Sequence, residues 1–240
     1  MKITFLGTSH GVPEVDRFCQ SILIETAENG YLIDAGAPVM DCLIRRKYDL
    51  KRLKAVFITH MHGDHINGLF GVLDLASWKF KEMDFDTFLP DEEKISIISA
   101  AVPTRVGCES RVRLQHGQSG VVYQNDEMKV TAYPTEHMGN APAYGYLLEA
   151  EGKKIYISGD LNGQNIDYPD FINEEPVDVF MVECAHFPAE RLAEKLKDCK
   201  AKRVMMIHVS PTQKYDVMKE AEKELPVRMV YPNDGDVFDV

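Results

Sequence analysis

Residues 55–65 read Ala55-Val56-Phe57-Ile58-Thr59-His60-Met61-His62-Gly63-Asp64-His65. An apolar, β-branched run ends on a cluster of three imidazoles and a carboxylate. The run Ala55–Thr59 predicts a buried strand that delivers the chain to His60. His60 and His62 are two apart, so an extended backbone points both rings to one side. Gly63 permits the turn that brings in Asp64 and His65, at the entrance of the next helix. Imidazoles this close repel once protonated and are costly to desolvate, and a bound cation removes both problems.

Other strand-like runs end in the same way. His137 follows Val130–Tyr133, Asp160 follows Lys154–Ile157 through Ser158-Gly159, and His208 follows Val204–Ile207. Mixed imidazole and carboxylate donors suit zinc, iron or manganese rather than calcium or magnesium. Seven such residues are too many for one tetrahedral ion and suit two ions that share a carboxylate.

Around these motifs the chain reads as strands first, then strands mixed with helices, and the pattern recurs in the second half. Strands are expected at Lys2–Leu6, Ser21–Thr26, Tyr31–Ile33, Val121–Tyr123, Met128–Tyr133, Tyr144–Glu149, Lys154–Ile157, Val177–Val182, Arg203–Ile207 and Arg228–Tyr231. Helices are expected near Val39–Arg46, Asn67–Ser77, Asp91–Ala101, Ala189–Lys197 and Lys214–Leu225. There is no repeat, low-complexity tract or Pro/Gly/Ser linker. At 240 residues, 45% hydrophobic and 27% charged, the chain fits one domain, residues 1–240, with helices outside two sheets.

A net charge of −11 argues against binding nucleic acid through the whole surface. Arg45, Arg46, Lys47, Lys51, Arg52 and Lys54 form a local basic patch, read as a solvated helix end. No run approaches the roughly 18 apolar residues of a membrane span, and the N-terminus has no secretory signal pattern. Five cysteines without a CxxC pair read as reduced thiols in a cytoplasmic protein.

With these residues in place, the sequence resembles the metallo-β-lactamase superfamily, whose signature is HxHxDH followed by later His, Asp and His ligands. Asp34-Ala35-Gly36 and Ser158-Gly159-Asp160 belong to the resemblance. Within the superfamily it is most similar to the ribonuclease Z and phosphodiesterase branch. The residues that carry this are Phe5-Leu6-Gly7-Thr8-Ser9-His10-Gly11-Val12-Pro13, Ala143-Tyr144-Gly145-Tyr146 and His208-Val209-Ser210-Pro211. The resemblance implies an α/β fold, the four-layer αβ/βα sandwich with two mixed sheets and helices outside.

The resemblance also implies two divalent transition-metal ions, zinc first, with manganese or iron as alternatives. His60, His62 and His137 would hold one ion, Asp64, His65 and His208 the other, and Asp160 would bridge them. The implied chemistry is hydrolysis by a hydroxide shared between the ions, with Asp64 also orienting the nucleophile and handling a proton. In Val182-Glu183-Cys184-Ala185-His186-Phe187, Glu183 would support a ligand histidine and His186 would act as general acid. Ribonuclease Z-like chains carry His-Glu there, a departure that bears on both roles. His10 lies in a glycine-flanked loop near the site, and Thr59 is placed to hydrogen-bond groups behind the ligands.

For the substrate, the interval from His137 to Asp160 is too short for the inserted tRNA-gripping arm of ribonuclease Z. A small phosphodiester, such as a cyclic or modified nucleotide, is the expected small-molecule substrate. Nucleic acid is disfavoured, no membrane is expected, and a homodimer is admitted. The alternatives are a lactonase, thioesterase or glyoxalase II-like hydrolase, with an acyl pocket from Trp78, Phe80 and Phe85, and a tRNA 3′-end nuclease.

Overall fold

The computed structural model describes residues 1–12, 14–164 and 167–240. Pro13, which ends the N-terminal motif, lies outside the described residues. The chain divides into two compact units, Met1–Gln118 with Asn233–Asp239, and Ser119–Pro232 with Val240.

In the first unit, the strands are β1 (Lys2–Gly7), β2 (Ser21–Glu25), β3 (Gly30–Ile33), β4 (Leu53–Phe57), β5 (Phe85–Leu89) and β6 (Val112–His116). With the C-terminal strand Val237–Asp239 they form a seven-stranded sheet, ordered C-terminal strand, β1, β2, β3, β4, β5, β6. Pairing is antiparallel as far as β3 and parallel from β3 to β6. The helices are α1 (Val39–Arg45), α2 (Gly63–Ile66), α3 (Leu69–Trp78) and α4 (Glu92–Ala101). Val39 and Leu43 of α1, Leu69, Val72 and Leu73 of α3, and Ile98 of α4 pack with Leu23, Leu32, Val56 and Phe85 in one apolar core.

The second unit holds β7 (Gly120–Gln124), β8 (Lys129–Pro134), β9 (Tyr144–Ala150), β10 (Lys153–Ile157), β11 (Val179–Cys184), β12 (Arg203–Val209) and β13 (Arg228–Val230). They too make a seven-stranded sheet, in sequence order. It is antiparallel from β7 to β10 and parallel from β10 to β13. α5 (Ala189–Leu196) and α6 (Lys214–Ala221) pack Leu192, Leu196 and Met218 against Phe180, Val182, Val204 and Met206. Both sheets are therefore mixed and carry helices, as the α/β reading expected.

Most expected elements lie within a residue or two of the observed ones. Three strands were not foreseen: β5, β6 and Val237–Asp239. β5 reads Phe-Asp-Thr-Phe-Leu, and its Asp86 breaks the apolar signal. The structure pairs Asp86 with Arg113 of β6 at 2.7 Å, a cross-strand ion pair that the local pattern cannot announce. The strand expected to run to Thr59 stops at Phe57. Beyond it Ile58 N–H donates to Phe88 O (3.0 Å) and Thr59 N–H to the Asp34 carboxylate (2.8 Å), so side-chain bonding replaces the ladder where the site begins.

Candidate metal centre

In the first unit the site residues gather just beyond the C-terminal ends of the parallel neighbours β3 and β4. Asp34 follows β3 with φ of 58°, a left-handed conformation that Asp tolerates better than most residues. It is 1% exposed. Its Oδ1 accepts from Thr59 N (2.8 Å), and the Thr59 hydroxyl donates to the same carboxylate at 3.0–3.1 Å. Asp34 Oδ2 lies 2.8 Å from His65 Nδ1.

A carboxylate can only accept, so His65 Nδ1 carries the proton and its Nε2 bears the lone pair. Because the Thr59 hydroxyl gives its proton to Asp34, its oxygen accepts from His60 Nδ1 at 3.1 Å. His60 Nε2 thereby bears a lone pair as well. One buried carboxylate thus sets the tautomer of two rings, His65 directly and His60 through Thr59.

These nitrogens meet other donors. His60 Nε2 lies 3.0 Å from His62 Nδ1, and His65 Nε2 lies 3.3 Å from Asp64 Oδ2. A proton or a cation must lie between the two imidazole nitrogens. Neighbouring ligands on a tetrahedral zinc, at bond lengths of about 2.0–2.1 Å, stand about 3.3–3.4 Å apart, so these separations fit a shared ion. Gly36 closes the Asp34-Ala35-Gly36 turn, where an added Cβ would strike the backbone oxygen of Asp64. Ala35 N–H donates to His65 O at 2.8 Å, which ties the same turn to the ligand helix. The Gly11 loop lies against the Asp64 carboxyl, at 3.5 Å from an ideal Cβ. In that loop His10 Nδ1 faces Glu14 Oε1 at 2.9 Å, and Arg17 binds the same carboxylate.

In the second unit Asp160 is the hub. Gly159, at φ of 60°, makes the turn that delivers it. Ser158 fixes that turn to β11, because its hydroxyl donates to Gly159 O (2.6 Å) and accepts from Glu183 N (3.2 Å). Asp160 Oδ1 is 3.6 Å from His208 Nδ1, and Oδ2 is 3.7 Å from His137 Nε2 and 3.8 Å from His186 Nδ1. These separations exceed hydrogen-bond reach; those of His137 and His208 suit groups arranged around a cation, whereas His186 Nδ1 faces Glu183. Asp160, His186 and His208 can bring ligand atoms within 4.8 Å of one another.

His137 Nδ1 donates to Leu161 O at 3.1 Å, so its Nε2 faces Asp160 with a lone pair. His208 has φ of 48° and lies where the β11–β12 register shifts, between the Glu183–Ile207 and Cys184–Val209 pairs. It is the extra residue of a β-bulge, a device that re-aims a side chain at the cost of backbone strain.

Glu183, fully buried, accepts from Leu161 N (2.9 Å), Ala185 N (2.6 Å) and His186 Nδ1 (3.0 Å). The structure therefore brings together His60, His62, Asp64 and His65 in one unit, and His137, Asp160, His186 and His208 in the other. Glu183 contacts His186 rather than one of the seven expected ligands. Asp34 entered the sequence reading only within Asp34-Ala35-Gly36, with no role for its carboxylate. Its place directly after a buried strand was visible in the sequence, whereas its partners depend on β3 lying beside β4. The Leu161 carbonyl gives no side-chain signal. Of the expected acyl-pocket residues, Phe85 is fully buried in the first core, and Trp78 is 52% exposed with its Nε1 donating to Asp74.

In each unit imidazoles and carboxylates gather at the strand ends of a mixed sheet, and the chain has the metallo-β-lactamase fold. The chain belongs to the family described as "Anti-Pycsar protein Apyc1", which matches residues 1–225. A ribonuclease Z of Rippkaea orientalis is 31% identical over 155 residues, covering 64% of this chain and 49% of that protein. The chain spans about half the length of the curated relatives it matches. Among solved structures, the metallo-β-lactamase fold protein YhfI of Bacillus subtilis has a TM-score of 0.81 at 18% identity, covering 99% of each chain. The short form of human tRNase Z has a TM-score of 0.73 at 20% identity, covering 100% of this chain and 99% of that one.

Proposed function

We propose that this chain is a dinuclear metal-dependent phosphodiesterase acting on a small phosphodiester, and that residues 1–240 work as a single hydrolase domain. His60, His62 and His137 would hold one ion, Asp64, His65 and His208 the second, and Asp160 would lie between them. Zinc suits these donors first, with manganese or iron as alternatives. Ions held there would supply Lewis-acid stabilisation of charge on oxygen and would acidify a water.

The observation that carries the reading is the enforced tautomer of three rings. Asp34, Thr59 and the Leu161 carbonyl take the Nδ1 protons of His65, His60 and His137. Lone pairs aimed at neighbouring donors serve a cation and have little use otherwise.

Within the reaction, Asp64 would orient the nucleophile and pass on a proton. His186, with 32% of its side chain exposed and its Nδ1 proton held by the Glu183 carboxylate, would as an imidazolium give its Nε2 proton to the leaving group. Two observations support a small substrate. The β9–β10 hairpin fills the interval between His137 and Asp160. The basic patch of the first unit is partly consumed internally, Arg52 on the carbonyls of Glu28 and Thr26 and Arg46 on Gly235. Among the described residues no helix is long and apolar enough to cross a membrane, and the five cysteines are free thiols, which suits a cytoplasmic setting.

The ribonuclease Z relatives favour a second reading, cleavage of RNA. A panel of bis-p-nitrophenyl phosphate, cyclic nucleotides, a homoserine lactone, S-lactoylglutathione and a tRNA precursor, each run with zinc, manganese and iron, separates the readings. Turnover of the small phosphodiesters supports the proposal. Turnover confined to the tRNA precursor, or to the carbon esters, overturns it.

A further inference from the structure

Lys214 is the first residue of α6, and a cation there opposes the helix dipole. An ammonium has three protons, and all three are used: Nζ donates to Cys184 O (2.8 Å), Ala185 O (2.8 Å) and Phe187 O (2.9 Å). Charge-assisted bonds of this kind are short and strong. They converge on the turn after β11 that carries His186. From the other side, the Glu183 carboxylate collects Ala185 N, His186 N and His186 Nδ1. The peptide groups of residues 184–187 are thus held by two ionic side chains, the carbonyls by Lys214 and the N–H groups by Glu183.

Cys184 and Phe187 anchor the two ends of this turn in the apolar core, and between them the His186 ring rests on those of His137 and His208. The turn forms one wall of a cavity of about 490 Å³, which His186, Phe187, Pro188, Pro211, Gln213 and Val217 also line. On that side the turn faces open space, so between the two apolar anchors its backbone is held by the polar ties. We infer that Lys214 is a positioning residue that fixes the Cys184–Phe187 turn and, through it, the His186 ring. The catalytic part of this inference rests on the hydrolase reading above. The structural part does not.

The test compares Lys214→Met, which keeps the stem and removes the donors, with Lys214→Arg, which restores a cation. Both are made with His186 present and in a His186→Ala background. In the metal-loaded protein, Lys214→Met should speed amide exchange in the 184–187 segment by about tenfold or more while leaving the β12 segment unchanged. Its metal content should match wild type. Hydrolysis of an alkyl phosphodiester, whose leaving group needs a proton, should fall by about 10–10²-fold, the scale expected for a misplaced group, and that of bis-p-nitrophenyl phosphate by less. Lys214→Arg should recover most of the loss, and Lys214→Met should add nothing once His186 is alanine. Unchanged exchange in the 184–187 segment overturns the inference whatever the activity. An equal fall in both His186 backgrounds overturns it as well. If wild type turns over none of the phosphodiesters, the hydrolase reading fails, and the exchange result still decides the clamp.

Discussion

Replacing Asp34 by asparagine exchanges an acceptor for a donor at one point of a buried network. The native carboxylate takes three protons, from Thr59 N, the Thr59 hydroxyl and His65 Nδ1. An asparagine oxygen can still accept the two Thr59 bonds, but its amide nitrogen then faces His65 Nδ1 and donates. His65 must move its proton to Nε2, the nitrogen 3.3 Å from Asp64 that the proposed site needs as a ligand. Loss of such a partner behind a ligand histidine costs about 10–100-fold in metal affinity. The fold should suffer less, since one charge-assisted bond is replaced by a neutral one at about 1–2 kcal/mol. Asp34→Ala, by contrast, leaves three buried groups without a partner, each costing about 1–3 kcal/mol, and should show a large fall in urea midpoint. The assay is zinc competition against a chromogenic chelator on the Asn variant, with urea unfolding of the metal-free protein as the control. Wild-type affinity for both ions in Asp34→Asn would refute the tautomer argument.

Further outcomes can be checked with the same material. Asp160→Ala should lower the affinity of both ions, whereas His208→Ala should empty mainly one; elemental analysis after loading decides, and a full complement in Asp160→Ala removes its bridging role. Asp64→Asn should keep some metal but lose about 10²–10⁴-fold in kcat, with a smaller loss for a nitrophenyl than for an alkyl leaving group; equal losses on the two would leave it a ligand only. Burial pushes the Cys184 thiol up to about 12 and raises Cys108 and Cys199, so at pH 8 a thiol reagent should reach at most the half-buried Cys19 and Cys42 until denaturant is added; faster labelling of Cys184 would show that its strand opens. Gly36→Ala should displace the Asp64 backbone and lower both metal affinity and thermal midpoint, an effect absent from Gly71→Ala, whose Cβ meets nothing within 4 Å.

What the sequence made legible follows from how local each signal is. HxHxDH and the strand-end positions of His137, Asp160 and His208 are short-range patterns, so a reader of the chain finds the donors. The order of strands and the β9–β10 hairpin are local as well. Partners set by sheet order were hidden. Asp34 and Thr59 are 25 positions apart and meet because β3 and β4 are parallel neighbours. Lys214 reaches the His186 turn because β12 lies beside β11 and α6 follows it. The bulge at His208 was equally hidden, since nothing in Arg203–Val209 announces a register shift.

These hidden partners share a physical logic that the two units reach separately. In each, a ring is held by a buried carboxylate from the end of a β-strand, Asp34 after β3 for His65 and Glu183 in β11 for His186. Parallel strands end at one edge of a sheet, so residues just past those ends are brought close without any local sequence relation. A carboxylate 1% exposed or less would be costly to desolvate if it had no donors. Asp34 and Glu183 instead collect backbone N–H groups as well as an imidazole proton. Those backbone bonds hold the carboxylate in place, and the remaining lone pair dictates which ring nitrogen carries the proton. The backbone therefore does the orienting, with the carboxylate as its intermediary. Removing the charge while keeping the shape, as in Asp34→Asn, should accordingly disturb ligand chemistry more than folding. Removing the side-chain acceptor of the Thr59 N–H, as in Asp34→Ala, should disturb folding first.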